Sequence, residues 1–386
     1  MKKNLFMTAA AIAALLTGCS TDEEIANIET SAKNAIGFNI VSNSAETKAT
    51  IYNNGSTNFD FDVFAFNSTT GDLFMGDHPQ ESYAHNGVDI YHNGSEWGYR
   101  NSNELAYWPS DESKLSFYAI SPATVAQDML QFYMWNIHGP KSDKGNKIFC
   151  SLVDEYGNTG TNYDLMYATA FNYDKTINNT KVKLSFKHTL SQVIFKGTTS
   201  NASLKADIKS IRMYNIKYSG NFSIPADLQA GSNNYARAPK STDWTLNETK
   251  HSVAAKMAGD NVLVDNTGVK DLSKSDEPIL VIPQVLTPWS TTTSIDDDNS
   301  YLEISMKLTQ NGQYVIGTES RYQTIYVPFI NVDSNNTTGW EPGKCYIYTL
   351  TFGGGYDKNG KPILTPITFE PSVEDWVDAS GYNVQL

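Results

Sequence analysis

The chain has 386 residues, long enough for two ordinary domains, and its formal net charge of −13 argues against nucleic acid or anionic lipid as partners. Tyrosine (22) and phenylalanine (17) are abundant among many Thr, Ser, Asn and Gly residues, a mixture that favours strands and turns over helices. After the N-terminus no apolar run approaches the length needed to span a bilayer as a helix.

The chain opens with the basic Met1-Lys2-Lys3, followed by an apolar run from Leu5 to Leu16. That is the length of a signal-peptide core and too short for a membrane span. Leu16-Thr17-Gly18-Cys19 resembles the bacterial lipobox. The resemblance implies that residues 1–18 are a signal peptide and that Cys19 is lipidated. More than one acyl chain is what stable anchoring needs, since each buried methylene contributes about 0.8 kcal/mol and one chain alone binds reversibly. Residues 19–33 then read as a flexible linker. Its acidic start, Ser20-Thr21-Asp22-Glu23-Glu24, resembles the surface-export signal of Bacteroidetes lipoproteins, although a solvated tether has the same composition.

The first strand is expected at Ile36–Val41, where Ile36, Phe38 and Ile40 alternate with Gly37, Asn39 and Val41. A lone basic residue, Lys48, follows in the polar segment Glu46–Thr50. Further strands are predicted at Phe59–Phe66, Lys114–Ala119, Lys147–Val153 and Leu165–Ala170, with a helix at Thr124–Phe132. The Asn- and Asp-rich stretch Asn172–Asn179 suggests a boundary between an N-terminal domain, residues 34–176, and a C-terminal domain, residues 177–386. In Lys181–His188, Val182, Leu184, Phe186 and His188 fall on one face of a half-buried strand, with Ser185 and three lysines on the other. Strands are next expected at Gln192–Gly197, Ile208–Ile216, Pro278–Ile282, Tyr301–Leu308, Tyr322–Val327 and Lys344–Phe352. Turn clusters such as Gln310-Asn311-Gly312 separate them. Near the C-terminus Ile367 and Phe369 alternate with polar residues, and Tyr382, Val384 and Leu386 share one face of a terminal strand. Many short strands with such spacers read as β-sandwiches.

Chemistry-bearing motifs are missing. The sequence contains no Gly-x-Ser-x-Gly, His-Glu-x-x-His, phosphate loop or dinucleotide fingerprint. His188 with Asp164 could be read as a catalytic pair, but its place on an apolar strand face favours a satisfied core histidine. Asp296-Asp297-Asp298-Asn299 lacks the glycine and distal glutamate of an EF-hand loop, so a solvated loop is expected there. Beyond Cys19, only Cys150 and Cys345 remain, far apart in sequence; a disulfide between them and two buried thiols both stay open. Trp97, Trp108, Trp135, Trp244, Trp289, Trp340 and Trp376 read mostly as core residues, with one or two rings left to stack on a sugar. No enzyme activity, cofactor or metal is expected.

Several of these stretches together resemble the fimbrillin family of Bacteroidetes. They are Tyr107-Trp108-Pro109-Ser110 with Leu115–Pro122, Tyr163–Ala168, Val182–Phe186 with His188-Thr189-Leu190-Ser191-Gln192-Val193, and Leu280-Val281-Ile282-Pro283-Gln284. The resemblance implies an all-β fold of two tandem β-sandwich domains with transthyretin-like topology. It also implies a lipoprotein at the outer membrane and cell surface whose partners are other pilus subunits and a host or bacterial surface ligand. Proteolysis after a basic residue, here Lys48, would remove the first strand with Ile36, Phe38 and Ile40. The family pattern has Arg at that point, and an Arg-specific protease would not cut after lysine. Tyr382, Val384 and Leu386 would then be the donor strand entering a neighbour's groove. The alternative is a monomeric glycan-binding surface lipoprotein of tandem β-domains.

Overall fold

A computed structural model describes residues 35–40, 60–76, 87–92, 96–123, 132–134, 137–152, 164–176, 181–232, 234–331, 339–364 and 367–375. In chain order the first strands are β1 (Gly37–Ile40), β2 (Asp60–Asn67), β3 (Leu73–Met75), β4 (Val88–His92), β5 (Trp97–Tyr99), β6 (Leu115–Ser121), β7 (Phe132–Met134), β8 (Lys147–Ser151) and β9 (Met166–Tyr173). Then come β10 (Lys181–Leu184), β11 (Lys187–His188), β12 (Ser191–Thr199), β13 (Leu204–Lys217), β14 (Ser219–Ser223), β15 (Trp244–Leu246), β16 (Lys250–Ala254), β17 (Val262–Val264), β18 (Lys270–Asp271) and β19 (Ile279–Val281). The last are β20 (Tyr301–Gln310), β21 (Gln313–Ile316), β22 (Gln323–Pro328), β23 (Lys344–Phe352), β24 (Gly354–Tyr356), β25 (Pro362–Leu364) and β26 (Thr368–Asp375). The fold is all-β, with no α-helix among the described residues. The helix expected at Thr124–Phe132 falls outside the described residues except for Phe132, which begins β7.

Five sheets result. A central sheet has the order β11-β9-β6-β2-β4-β5, with β3 also paired to β2. One face packs against the two-stranded parallel sheet β1-β10, the other against the sheet β15-β14-β8-β7. The central strands therefore have no solvent face, and their sequences show it. In β2, Phe61, Val63 and Ala65 enter one core while Phe64 and Phe66 enter the other. Leu115, Phe117 and Ala119 of β6 likewise oppose Tyr118 and Ile120. A strand buried on both sides reads as a continuous apolar run rather than an alternation.

The remaining strands form a sheet β18-β12-β23-β26, with β19 on β12, and a sheet β16-β13-β20-β22-β24-β25, with β17 on β13 and β21 on β20. Their inner faces enclose a third core. Here the outer face is polar, so β20 alternates strictly: Leu302, Ile304, Met306 and Leu308 are buried and Glu303, Ser305 and Lys307 are not. Asn311 and Gly312, at φ of 51° and 79°, make the tight β20–β21 turn. Both central positions of that turn type need positive φ, which Asn tolerates and Gly adopts freely.

The chain crosses back between the halves after residue 177. β10 pairs with β1, β11 with β9, and β14 with β8. Leu280 and Ile282 join the core that holds Phe64 and Tyr118. The stretch 181–188 is also not one strand. Its hydrogen bonds pass from β1 to β9 across Ser185 and Phe186. That change of sheet turns Lys187 inward, against the outward position its spacing suggests: it is 8% exposed, and its Nζ donates to the Ala236 carbonyl at 2.8 Å and to Gln229 Oε1 at 3.3 Å.

Candidate functional site

The alternation Ile36-Gly37-Phe38-Asn39-Ile40 directs three apolar side chains to one side of β1. Ile36 and Phe38 are 0% and 2% exposed; Ile40 is half-buried and packs against the same core. The Phe38 ring stands edge-on to Phe61 and Phe117, with centroids 6.0 and 6.1 Å away, and is tilted against Tyr99 at 6.2 Å. Along the main chain β1 runs parallel to β10, with Gly37 opposite Lys181, Phe38 opposite Val182 and Ile40 opposite Leu184. A Cβ on Gly37 would come within 2.9 Å of the Lys181 Cγ, so a small residue lets the lysine stem cross here. At the start of the strand the Ile36 N–H donates to the Ala106 carbonyl at 2.8 Å, and the Tyr99 hydroxyl donates to the Ile36 carbonyl at 2.8 Å. Burial holds the Tyr99 phenol well above its ordinary pKa, so it stays a donor. Ile36 and Phe38, with the half-buried Ile40, thus fill an aromatic-walled slot while the ladder of β1 joins only β10 among the described strands.

Sequence reasoning missed Tyr99 and Ala106 as partners of this strand. Both lie in a stretch without apolar period, and one of them acts through its main chain. It also missed the clamp beside the slot. Arg100 Nη2 meets Asp60 at 3.0 Å and its Nε meets Asp89 at 2.5 Å, while its guanidinium lies 4.7 Å from the Tyr91 ring centroid. Burial, with the nearby Asp89 charge, pushes the Asp60 carboxyl up to about 6; the Ala123 N–H and Arg100 oppose that rise.

At the other end of the chain, β26 pairs antiparallel with β23 from Thr368–Thr351 to Asp375–Lys344 and forms an edge of its sheet. Ile367, just before it, is buried in the third core. Pro371 is half-buried, and Ser372, Val373, Glu374 and Asp375 are exposed. From Pro371 to Asp375 the strand is thus held by main-chain bonds rather than by buried side chains. Cys19, Lys48 and the terminal Tyr382, Val384 and Leu386 lie outside the described residues.

The other residues singled out by sequence have structural settings. His188 Nδ1 and Asp164 Oδ2 are 2.6 Å apart with side chains 1% and 0% exposed, sealed where no substrate could reach them. Asp296 Oδ1 accepts the N–H groups of Asp298 and Asn299, and the Asn215 amide donates to the carbonyls of Asp296 and Asn299, so this acidic loop is tied down by its own hydrogen bonds. Among the described residues no group of three or more His, Cys, Asp or Glu side chains is placed to hold a metal ion. Cys150 and Cys345 are both buried free thiols. Burial pushes Cys345 up to about 12 and Cys150 higher still, which leaves little reactive thiolate. Trp244, Trp289 and Trp340 are buried, Trp97 and Trp108 half-buried, and Trp135 and Trp376 outside the described residues.

The fold recurs in a solved structure. A fimbrial protein from Bacteroides vulgatus superposes with a TM-score of 0.51 at 18% identity, covering 89% of this chain and 99% of that one. A fimbrilin from Porphyromonas gingivalis gives 0.42 at 10% identity, over 90% and 100% of the two chains. The tip fimbrial protein of the same organism, truncated at its C-terminus, gives 0.35 at 12% identity, over 82% and 94%. No curated protein matches the sequence. Residues 47–376 match the profile described as fimbrillin-like, and that span makes this chain a member of the fimbrillin-like family.

Proposed function

We propose that the chain is a structural and adhesive subunit of a cell-surface pilus, exported as a lipoprotein on Cys19 to the outer membrane and joined to its neighbours by strand exchange. The observation that carries this reading is the seat of β1. Phe38 in β1 and Ile36 just before it are fully enclosed, yet the strand is four residues long and laddered to β10 alone among the described strands. Full burial of each such side chain is worth about 1.5–3 kcal/mol, a gain that any strand with matching side chains can recover. Cleavage after Lys48 would free the slot walled by Phe61, Phe117 and Tyr99. Tyr382, Val384 and Leu386 of the next subunit would fill it. The exposed side chains of Ser372–Asp375, just upstream of that tail, support a segment that reaches out.

The test is the Lys48→Ala variant expressed on cells. Wild-type protein recovered from surface filaments should begin at Ala49, and the variant should accumulate as a full-length lipidated monomer. Normal filaments built from uncut Lys48→Ala chains would remove processing from the mechanism.

A further inference from the structure

An open cleft of about 310 Å³ lies between β3, the start of β4 and the loop that precedes β6. Phe74, Met75, Val88, Asn103, Glu104 and Tyr107 are among the residues that line it. Among the described residues three large aromatic side chains stand exposed, Phe74, Tyr107 and Tyr314, and two of them share this cleft. Phe74 is 39% and Tyr107 43% exposed. On β3, Leu73 is half-buried and Met75 buried, so Phe74 occupies the outward position where a half-buried strand ordinarily carries a polar residue. Neither exposure serves the core.

We propose that this cleft binds a neutral saccharide. Aromatic rings present flat, weakly negative faces that take the C–H face of a pyranose. An asparagine amide both donates and accepts, and a carboxylate accepts, which together suit adjacent sugar hydroxyls. The described lining carries one carboxylate, Glu104, and no basic group, so uronate or sulfated sugars meet repulsion without compensation. The volume sits at the low end of the roughly 300–1,000 Å³ typical of small-ligand sites. That is room for one or two sugar units, and the open form lets a longer chain continue past them. The site uses no residue of β1 or of the C-terminal segment, so it stands whether or not strand exchange occurs.

The test is titration calorimetry of the full chain in detergent with maltohexaose, cellohexaose, xylohexaose and mannohexaose, alongside oligogalacturonate as the anionic comparison. At least one neutral hexasaccharide should bind. Phe74→Ala and Tyr107→Ala should each weaken that binding tenfold or more while the variants keep a cooperative melting transition and the wild-type circular dichroism spectrum. Absence of binding by all four neutral sugars, undiminished binding by the double variant, or binding of oligogalacturonate alone would each overturn the assignment.

Discussion

Phe38 does more for the N-terminal core than the length of its strand suggests. It is enclosed by Phe61, Phe117 and Tyr99, so Phe38→Ala should cost the intact precursor about 3–5 kcal/mol, read as a lower denaturant midpoint. On the proposed maturation the same residue leaves with the first strand. Filaments grown from Phe38→Ala chains should therefore resist denaturant as well as wild-type filaments; filaments weakened in step with the precursor would mean that β1 stays in place. Asp60 makes a pH prediction. Its folded-state pKa of about 6 lies above the ordinary 3.8, so between those values the folded chain holds more protons than the unfolded one. Stability contributed by this group is highest below about pH 4 and is lost as pH rises to 6. Asp60→Asn keeps an acceptor for the Ala123 N–H and removes the titration. The variant should gain on wild type as pH is raised from 4 to 7, measured as the difference between their melting temperatures at each pH. A difference that shrinks over that range would show that the Arg100 contact outweighs burial.

At the scale of elements, legibility followed solvent exposure. β20 and β23 could be read from sequence because one face of each is dry and the other wet, which writes a period of two into the residues. β2 and β6 were readable as apolar runs, but nothing local says that the two faces of each serve different cores. The break after β10 was not readable, because the apolar residues Val182, Leu184 and Phe186 keep their period while the hydrogen-bonding partner changes. Lys187 was lost for the same reason: its partners, Ala236 and Gln229, come from a distant loop. The strand carrying Ile36 and Phe38 was visible as an alternation, whereas the slot around it is assembled from β2, β5 and β6 and has no local signature. The cleft of Phe74 and Tyr107 is similarly non-local. For the C-terminal segment the discriminating experiment is deletion of Gly381–Leu386. Filament formation should fail while the monomer melts within about a degree or two of wild type, the range expected of a surface change that costs less than about 0.5 kcal/mol. A deletion that unfolds the monomer would assign those residues to their own domain.

For the whole molecule, the path of the chain decides what can fold alone. The N-terminal cores draw on Val182, Leu184 and Phe186 of the following segment, on Phe222 and Trp244 farther along, and on Leu280 and Ile282. A fragment ending at Thr176 would lack β10, β11, β14 and β15 and leave both faces of the central sheet partly uncovered. It should therefore show no cooperative melting transition by circular dichroism; a sharp transition would support the expected boundary near residue 177. A slot that accepts one strand and a tail that supplies another are unlike surfaces, and contacts between unlike surfaces need not close into a ring. On the proposed assembly a filament of n subunits has n − 1 filled slots, and one remains vacant at an end. That vacancy presents Phe61, Phe117 and Tyr99 to water, so a dye that reports on apolar surface should count filament ends rather than subunits. Its signal should double when filaments are sheared to half their length.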